Sequence, residues 1–189
     1  FFKALLFLGS GSVIHAMSDE QDMRKMGGIG KHIKVTYVLM LVGSWALVGL
    51  PPFSGYYSKD IILEAAWGAH TGIGTYAFWM GISAAFLTAF YSWRLLILTF
   101  HGESRANETV LAHVHESPKI MLIPLLVLAI GAMGAGSVGY ESFVGGRAAE
   151  FWGSSILILE THQALEAAHH APLWVKYLPL VVGLAGIGL

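Results

Sequence analysis

The chain has 189 residues, 55% of them apolar and only 12% charged, with a mean hydropathy of +0.62. That charged share is about half of what a soluble domain carries, so the class is a polytopic α-helical membrane protein. A net charge of −1 argues against a nucleic-acid partner, and the lack of cysteine excludes disulfides, thiolate metal sites and iron–sulfur ligation by this chain.

Residues 1–17, FFKALLFLGSGSVIHAM, are too few to span and read as the second half of a membrane helix. The opening without Met and the ending GLAGIGL inside an apolar run predict a piece of a longer chain. Loop 18–34 follows, with Arg24, Lys25, Lys31 and Lys34; its GGIG at 27–30 lacks the strand-to-helix setting of a phosphate cradle. Residues 35–50 and 56–67 are two apolar pieces separated by Pro51, Pro52 and Gly55. Residues 75–100 form a full span with Tyr and Trp near its start, and 119–138 another, opened by Pro118. The stretch 139–171 is mixed, and SSILILETHQALEAAHHAP is a candidate interfacial amphipathic helix. Residues 172–189 begin a last span. No repeat or low-complexity tract interrupts the series.

Does 35–67 cross the membrane once or twice? The piece 56–67 would be about 18 Å long as a helix, too short to cross alone. One crossing puts six basic residues (Arg24, Lys25, Lys31, Lys34, Arg105, Lys119) on the cytoplasmic side and Arg147 outside. A hairpin would give five inside and two outside. Both arguments favour a single crossing by a discontinuous helix.

The break has a chemical setting. Pro51 and Pro52 remove two backbone donors, and Gly49 and Gly55 ease unusual dihedrals. Freed backbone groups survive in hydrocarbon only inside protein or beside water, and broken helices line ion sites in transporters. A packing kink would need no charge, yet Lys59 and Asp60 follow at once, with Glu64 one turn beyond Asp60 on the same helix face. These two carboxylates read either as proton carriers or as structural partners and helix-end charges. An ionisable group at that depth costs about 3 kcal/mol unless hydrated or paired, so Lys59 reads as a group that takes up and releases a proton. A snorkelling lysine is the plainer alternative. Lys3 is the second candidate, with Ser10 near its face and His15 toward the cytoplasmic end, where hydroxyls and imidazole can support a water chain.

Other polar residues read as structural. Arg94 lies toward a helix end and snorkels or pairs with a carboxylate. His113, His115, His162, His169 and His170 fall in predicted loops, and neither HVH nor HH comes with the further ligands a metal site needs, so no metal is expected.

At this point the residues carry a resemblance. FFKALLFLGSGSVIHAM with DMRKMGG, GSWALVGLPPFSGYYSKDIILE, FYSWRLLILTFHGESR and HVHESPKIMLIPLLVLAIGAMGAG read as consecutive blocks of one family. The chain resembles the largest antiporter-like subunit of respiratory complex I, over almost its whole length. The resemblance implies an all-α transmembrane bundle with a discontinuous helix. Residues 1–102 would be part of the proton-translocating core, and 103–189 a C-terminal extension that stops before the long lateral helix of the family. It implies coupling of NADH-to-quinone electron transfer elsewhere in the complex to proton pumping. It also implies no cofactor in this chain, with FMN and iron–sulfur clusters in partner subunits. Lys59 matches the terminal membrane lysine, Lys3 the central one, and Asp60 the acidic neighbour in the SKD motif. A sister subunit carries Glu at the position of Lys59. The implied partners are the other membrane-arm subunits, above all the neighbouring antiporter-like one, and the bilayer. The implied location is the bacterial cytoplasmic membrane ahead of the mitochondrial inner membrane. Related alternatives are the large subunit of multisubunit sodium/proton antiporters and the membrane arm of energy-converting hydrogenases. A structural membrane anchor is the alternative of another class.

Overall fold

The computed structural model describes residues 1–157 and 164–189. Among these residues the protein is all helical, without strands. The elements are α1 (Phe2–Ala16), α2 (Lys34–Val48), α3 (Ser54–Gly68), α4 (Gly72–Phe100), α5 (Glu108–Leu111), α6 (Lys119–Phe143), α7 (Ala148–Trp152), α8 (Ala164–His169) and α9 (Leu173–Ile187). The 29-residue α4 and 25-residue α6 are long and apolar enough to cross a membrane, whereas α1, α2 and α9 are shorter apolar helices. By length and composition α4 and α6 are candidate membrane spans.

Several ends differ from the sequence expectation for local reasons. Helix α4 starts at Gly72 rather than 75 because the Thr71 hydroxyl accepts the Gly74 N–H at 2.9 Å, a side-chain cap on an orphan donor. Helix α6 runs on past 138 to Phe143. His169, expected in a loop, is instead the last residue of α8, because ALEAAH is rich in strong helix formers. Of the candidate amphipathic helix at 154–172, the described part is helical only over Ala164–His169; His162 lies outside the described residues.

Contacts divide the chain into two units, residues 1–47 with 91–133 and residues 48–90 with 134–189. The first unit buries Val13, Met17, Ile29, Ile33, Met40, Leu96 and Phe100 as one cluster. Two polar fasteners hold its loops. Arg105, from the HGESR motif, donates to the carbonyls of Arg24 (2.9 Å) and Leu98 (2.6 Å), tying loop 18–34 to the end of α4. Glu116, from HESP, accepts the N–H groups of Val35 (2.7 Å) and Thr36 (3.3 Å) and so caps the start of α2.

The second unit is built around α3, which packs on α8 and α9. The α3–α8 approach is close: a Cβ on Gly68 would stand 2.9 Å from the Ala167 Cβ and 3.1 Å from the Ala164 carbonyl oxygen. Leu63, Phe78, Ile82, Ala171 and Val175 fill the core beside it, with Trp67 edge-on to Trp174 at 4.9 Å. This frame fixes the rotation of α3, and with it the direction of each of its ionisable side chains.

Candidate functional site

The break falls where the sequence placed it. Helix α2 ends at Val48, five residues pass without helix, and α3 begins at Ser54. Pro51 and Pro52 sit in that gap, and Gly49 turns the chain at φ +87°, a region favourable to glycine. Helix α3 has 15 residues, about 22 Å of rise against a hydrocarbon core of about 30 Å, shorter than a single span needs.

The end of α2 leaves carbonyls with no partner in the helix, and one of them is satisfied by a side chain. Lys59 is half-buried, and its Nζ donates to the Val48 carbonyl oxygen. Side chains on a helix lean toward its N-terminus, which is why a lysine in the second turn of α3 reaches back over the break. Gly49 makes room for it: a Cβ there would lie 2.8 Å from Lys59 Nζ and 2.9 Å from its Cε. An ammonium on a helix C-terminal carbonyl is a favourable charge–dipole arrangement.

Asp60 points elsewhere. Successive helical residues are about 100° apart, so a neighbour of Lys59 faces a different side. Asp60 is 5% exposed, and neither carboxylate oxygen has a hydrogen-bond partner. No ion pair joins it to Lys59 among the described residues. Nor is it a cap: α3 is preceded by Phe53, with no side-chain cap bond, and Asp60 stands in its second turn. It is one of the residues lining a cavity of about 280 Å³, with Tyr56, Glu64, Tyr140, His169 and Lys176, while its carboxylate oxygens are themselves buried in the wall. Tyr56, Asp60 and Glu64 recur at four-residue spacing and form one stripe of α3. The opposite wall comes from α6, α8 and α9, where Lys176 Nζ donates to the His169 carbonyl at 2.8 Å. The His169 Nε2 lies 2.9 Å from the Val144 carbonyl oxygen. Such a cavity has room for several waters, and its carboxylates, phenols, imidazole and amine are hydrogen-bonding groups that can support a proton relay.

The remaining candidates lie in the first unit. Lys3 stands exposed on α1, on the stripe that continues through Phe7 and Ser10, and the Ser10 hydroxyl donates to the Phe7 carbonyl at 2.7 Å. His15 is exposed at the far end of α1, its ring centroid 6.3 Å from that of His115. The sequence reading named Asp60 and Glu64 as site residues, took His169 as a structural loop residue, and did not single out Tyr140 or Lys176. Tyr140, His169 and Lys176 lie far along the chain, and their place opposite Asp60 depends on packing that no local pattern encodes.

The family described as NADH:quinone oxidoreductase/Mrp antiporter, TM matches residues 1–88. The chain is 44% identical over 186 residues to NADH-ubiquinone oxidoreductase chain 5 of Marchantia polymorpha, covering 98% of this chain and 28% of that protein. It is 45% identical over 187 residues to NADH-quinone oxidoreductase subunit L of Rickettsia bellii, again 28% of that protein. The match to chain 5 of Chondrus crispus is 45% over 197 residues, covering 99% of this chain and 29% of that protein. Residues 1–88 thus resemble this membrane family, and the chain over almost its whole length is similar to these relatives. It spans just over a quarter of the length of these relatives. The region matched by the family, 1–88, holds Lys3, the break, Lys59, Asp60 and Glu64, whereas Tyr140, His169 and Lys176 lie beyond it.

Proposed function

We propose that this chain is part of a proton-translocating membrane subunit of NADH:quinone oxidoreductase. In this reading Lys59 and Lys3 are reversibly protonated, Asp60 and Glu64 carry protons on from Lys59, and His15 serves the cytoplasmic end. Residues 1–102 belong to the translocating core and 103–189 to a C-terminal extension. Electron transfer, with its flavin and iron–sulfur clusters, takes place in partner subunits. Those partners are the other subunits of the complex, foremost the neighbouring antiporter-like one.

One observation carries the reading. Two adjacent ionisable side chains leave the second half of a broken helix in different directions, Lys59 onto the free carbonyl of the first half and Asp60 into the buried wall of a polar cavity. A structural kink requires neither group. A half-buried ammonium held by one carbonyl and a buried carboxylate held by none are costly in hydrocarbon, and their presence there is the mark of a transfer path. The names of the relatives support the redox-coupled version.

The test is Lys59→Gln in the full-length subunit within the assembled complex, with proton pumping and NADH oxidation followed together. We expect the proton-to-electron ratio to fall severalfold while assembly and electron transfer persist. An unchanged ratio in a normally assembled complex would sink the reading and leave a structural anchor in its place. The family description also names an antiporter, so sodium flux is measured in the same vesicles. Sodium movement lost with Lys59→Gln would favour the antiporter branch. The reading also takes the bacterial cytoplasmic membrane as the location, and an organellar source gene would overturn that part alone.

A further inference from the structure

A second concave site, of about 550 Å³, lies in the first unit where the start of α2 meets the end of α4. Its side-chain lining is Lys31, Lys34, Tyr37, Val38, Phe100 and His101. Three further lining residues are glycines: Gly28, Gly30 and Gly102. At Gly102, with φ +76°, a Cβ would meet nothing within 4 Å. At Gly30 it would come within 3.0 Å of the Phe100 carbonyl oxygen.

Four basic residues, Arg24, Lys25, Lys31 and Lys34, run from the end of α1 to the first residue of α2, and their surroundings differ. Arg24 is paired with Asp22 at 2.8 Å, and its guanidinium holds the Asp22 carboxyl down at about 2. Lys25 is paired with Glu20 at 3.3 Å. Lys31 and Lys34 are exposed, and neither makes a hydrogen bond or ion pair among the described residues. Among the described residues the acidic groups on the surrounding elements form no ion pair with them: Glu116 is held by the Val35 and Thr36 N–H groups, and Glu103 makes no ion pair. The polar wall is completed by Tyr37 Oη and His101 Nε2, 2.9 Å apart.

One turn further into each helix the surface becomes apolar. Val38, four residues past Lys34, is 52% exposed, and Ile97, four residues before His101, is 50% exposed. Unpaired cations above exposed aliphatic side chains, at the ends of two apolar helices, match a molecule with an anionic head and apolar tails. Basic pockets between transmembrane helices on the cytoplasmic side bind anionic headgroups. We propose that this site holds the phosphate of an anionic phospholipid, with Lys31 and Lys34 as its cationic contacts and Val38 and Ile97 beside its acyl chains. The Gly28 N–H is not available to the phosphate, since it already donates to the His101 carbonyl at 3.0 Å.

The test uses the full-length protein purified in nanodiscs of phosphatidylcholine and a photoactivatable phosphatidylglycerol, with labelled peptides read by mass spectrometry. We expect labelling within residues 28–38 and 97–102, lowered about fivefold by each of Lys31→Gln and Lys34→Gln, since a basic residue near an anionic surface contributes about 1 kcal/mol. The Lys31→Arg/Lys34→Arg variant should retain the labelling, and Lys25→Gln should not change it. Equal labelling of the Gln variants, or of wild type by a phosphatidylcholine probe, overturns the proposal. Competition by excess inorganic phosphate would mark a site for a free anion and overturn it as well. Should the Gln variants fail to fold, the comparison of the two probes on wild type decides.

Discussion

Gly49 determines whether Lys59 can stand at the break. Its φ of +87° suits glycine, and the missing Cβ is the space in which the lysine ends. Gly49→Ala therefore acts twice. It destabilises the turn by about 1 kcal/mol through the unfavourable dihedral, and it moves the flexible end of Lys59 off the Val48 carbonyl. We expect the variant to assemble with a slightly lowered thermal midpoint and to lose much of its proton-to-electron ratio, approaching Lys59→Gln. Full pumping by Gly49→Ala would show that the contact with Val48 is dispensable. From the sequence, Gly49 was legible only as a permissive residue. Its role as space for an ammonium depends on how far Lys59 reaches back, which no spacing rule states.

At the scale of elements, the helices were legible because a membrane span needs a run of apolar residues and a break needs proline. What sequence missed were the ends, which are fixed by single polar contacts. Thr71 starts α4 early, and Glu116 caps α2 from a loop some eighty residues away in sequence. Removing that carboxylate by Glu116→Ala should free the first turn of α2 at a cost of about 1 kcal/mol. Hydrogen exchange should then accelerate at Val35 and Thr36 while the middle of α2 stays protected. Unchanged exchange there would mean that water or a neighbour replaces the cap. The same long-range dependence explains α8, whose composition favours helix but whose place against α3 is set by Gly68 and the alanines facing it.

At the scale of the whole molecule, the single crossing by α2 and α3 remains a proposal resting on helix length and loop charge. It is tested with single cysteines in a cysteine-free background and an impermeant maleimide added from either side. His70→Cys and Glu150→Cys should react from one side, and Lys25→Cys and Ser104→Cys from the other. If His70→Cys reacts together with Lys25→Cys, the segment is a hairpin. Composition, hydropathy and the PPFSGYYSKD stretch by themselves determined the class, the number of apolar segments, the break and the ionisable residues beside it, because burial in lipid leaves such features in the local sequence. Only the tertiary structure decided where those residues point. Lys59 turns to a backbone carbonyl, and Asp60 is buried in the wall of a cavity whose far side is built by Tyr140, His169 and Lys176. The physical reason is that helix rotation is fixed by packing against α8 and α9, and the partners in that packing are brought together by the fold rather than by their spacing along the chain.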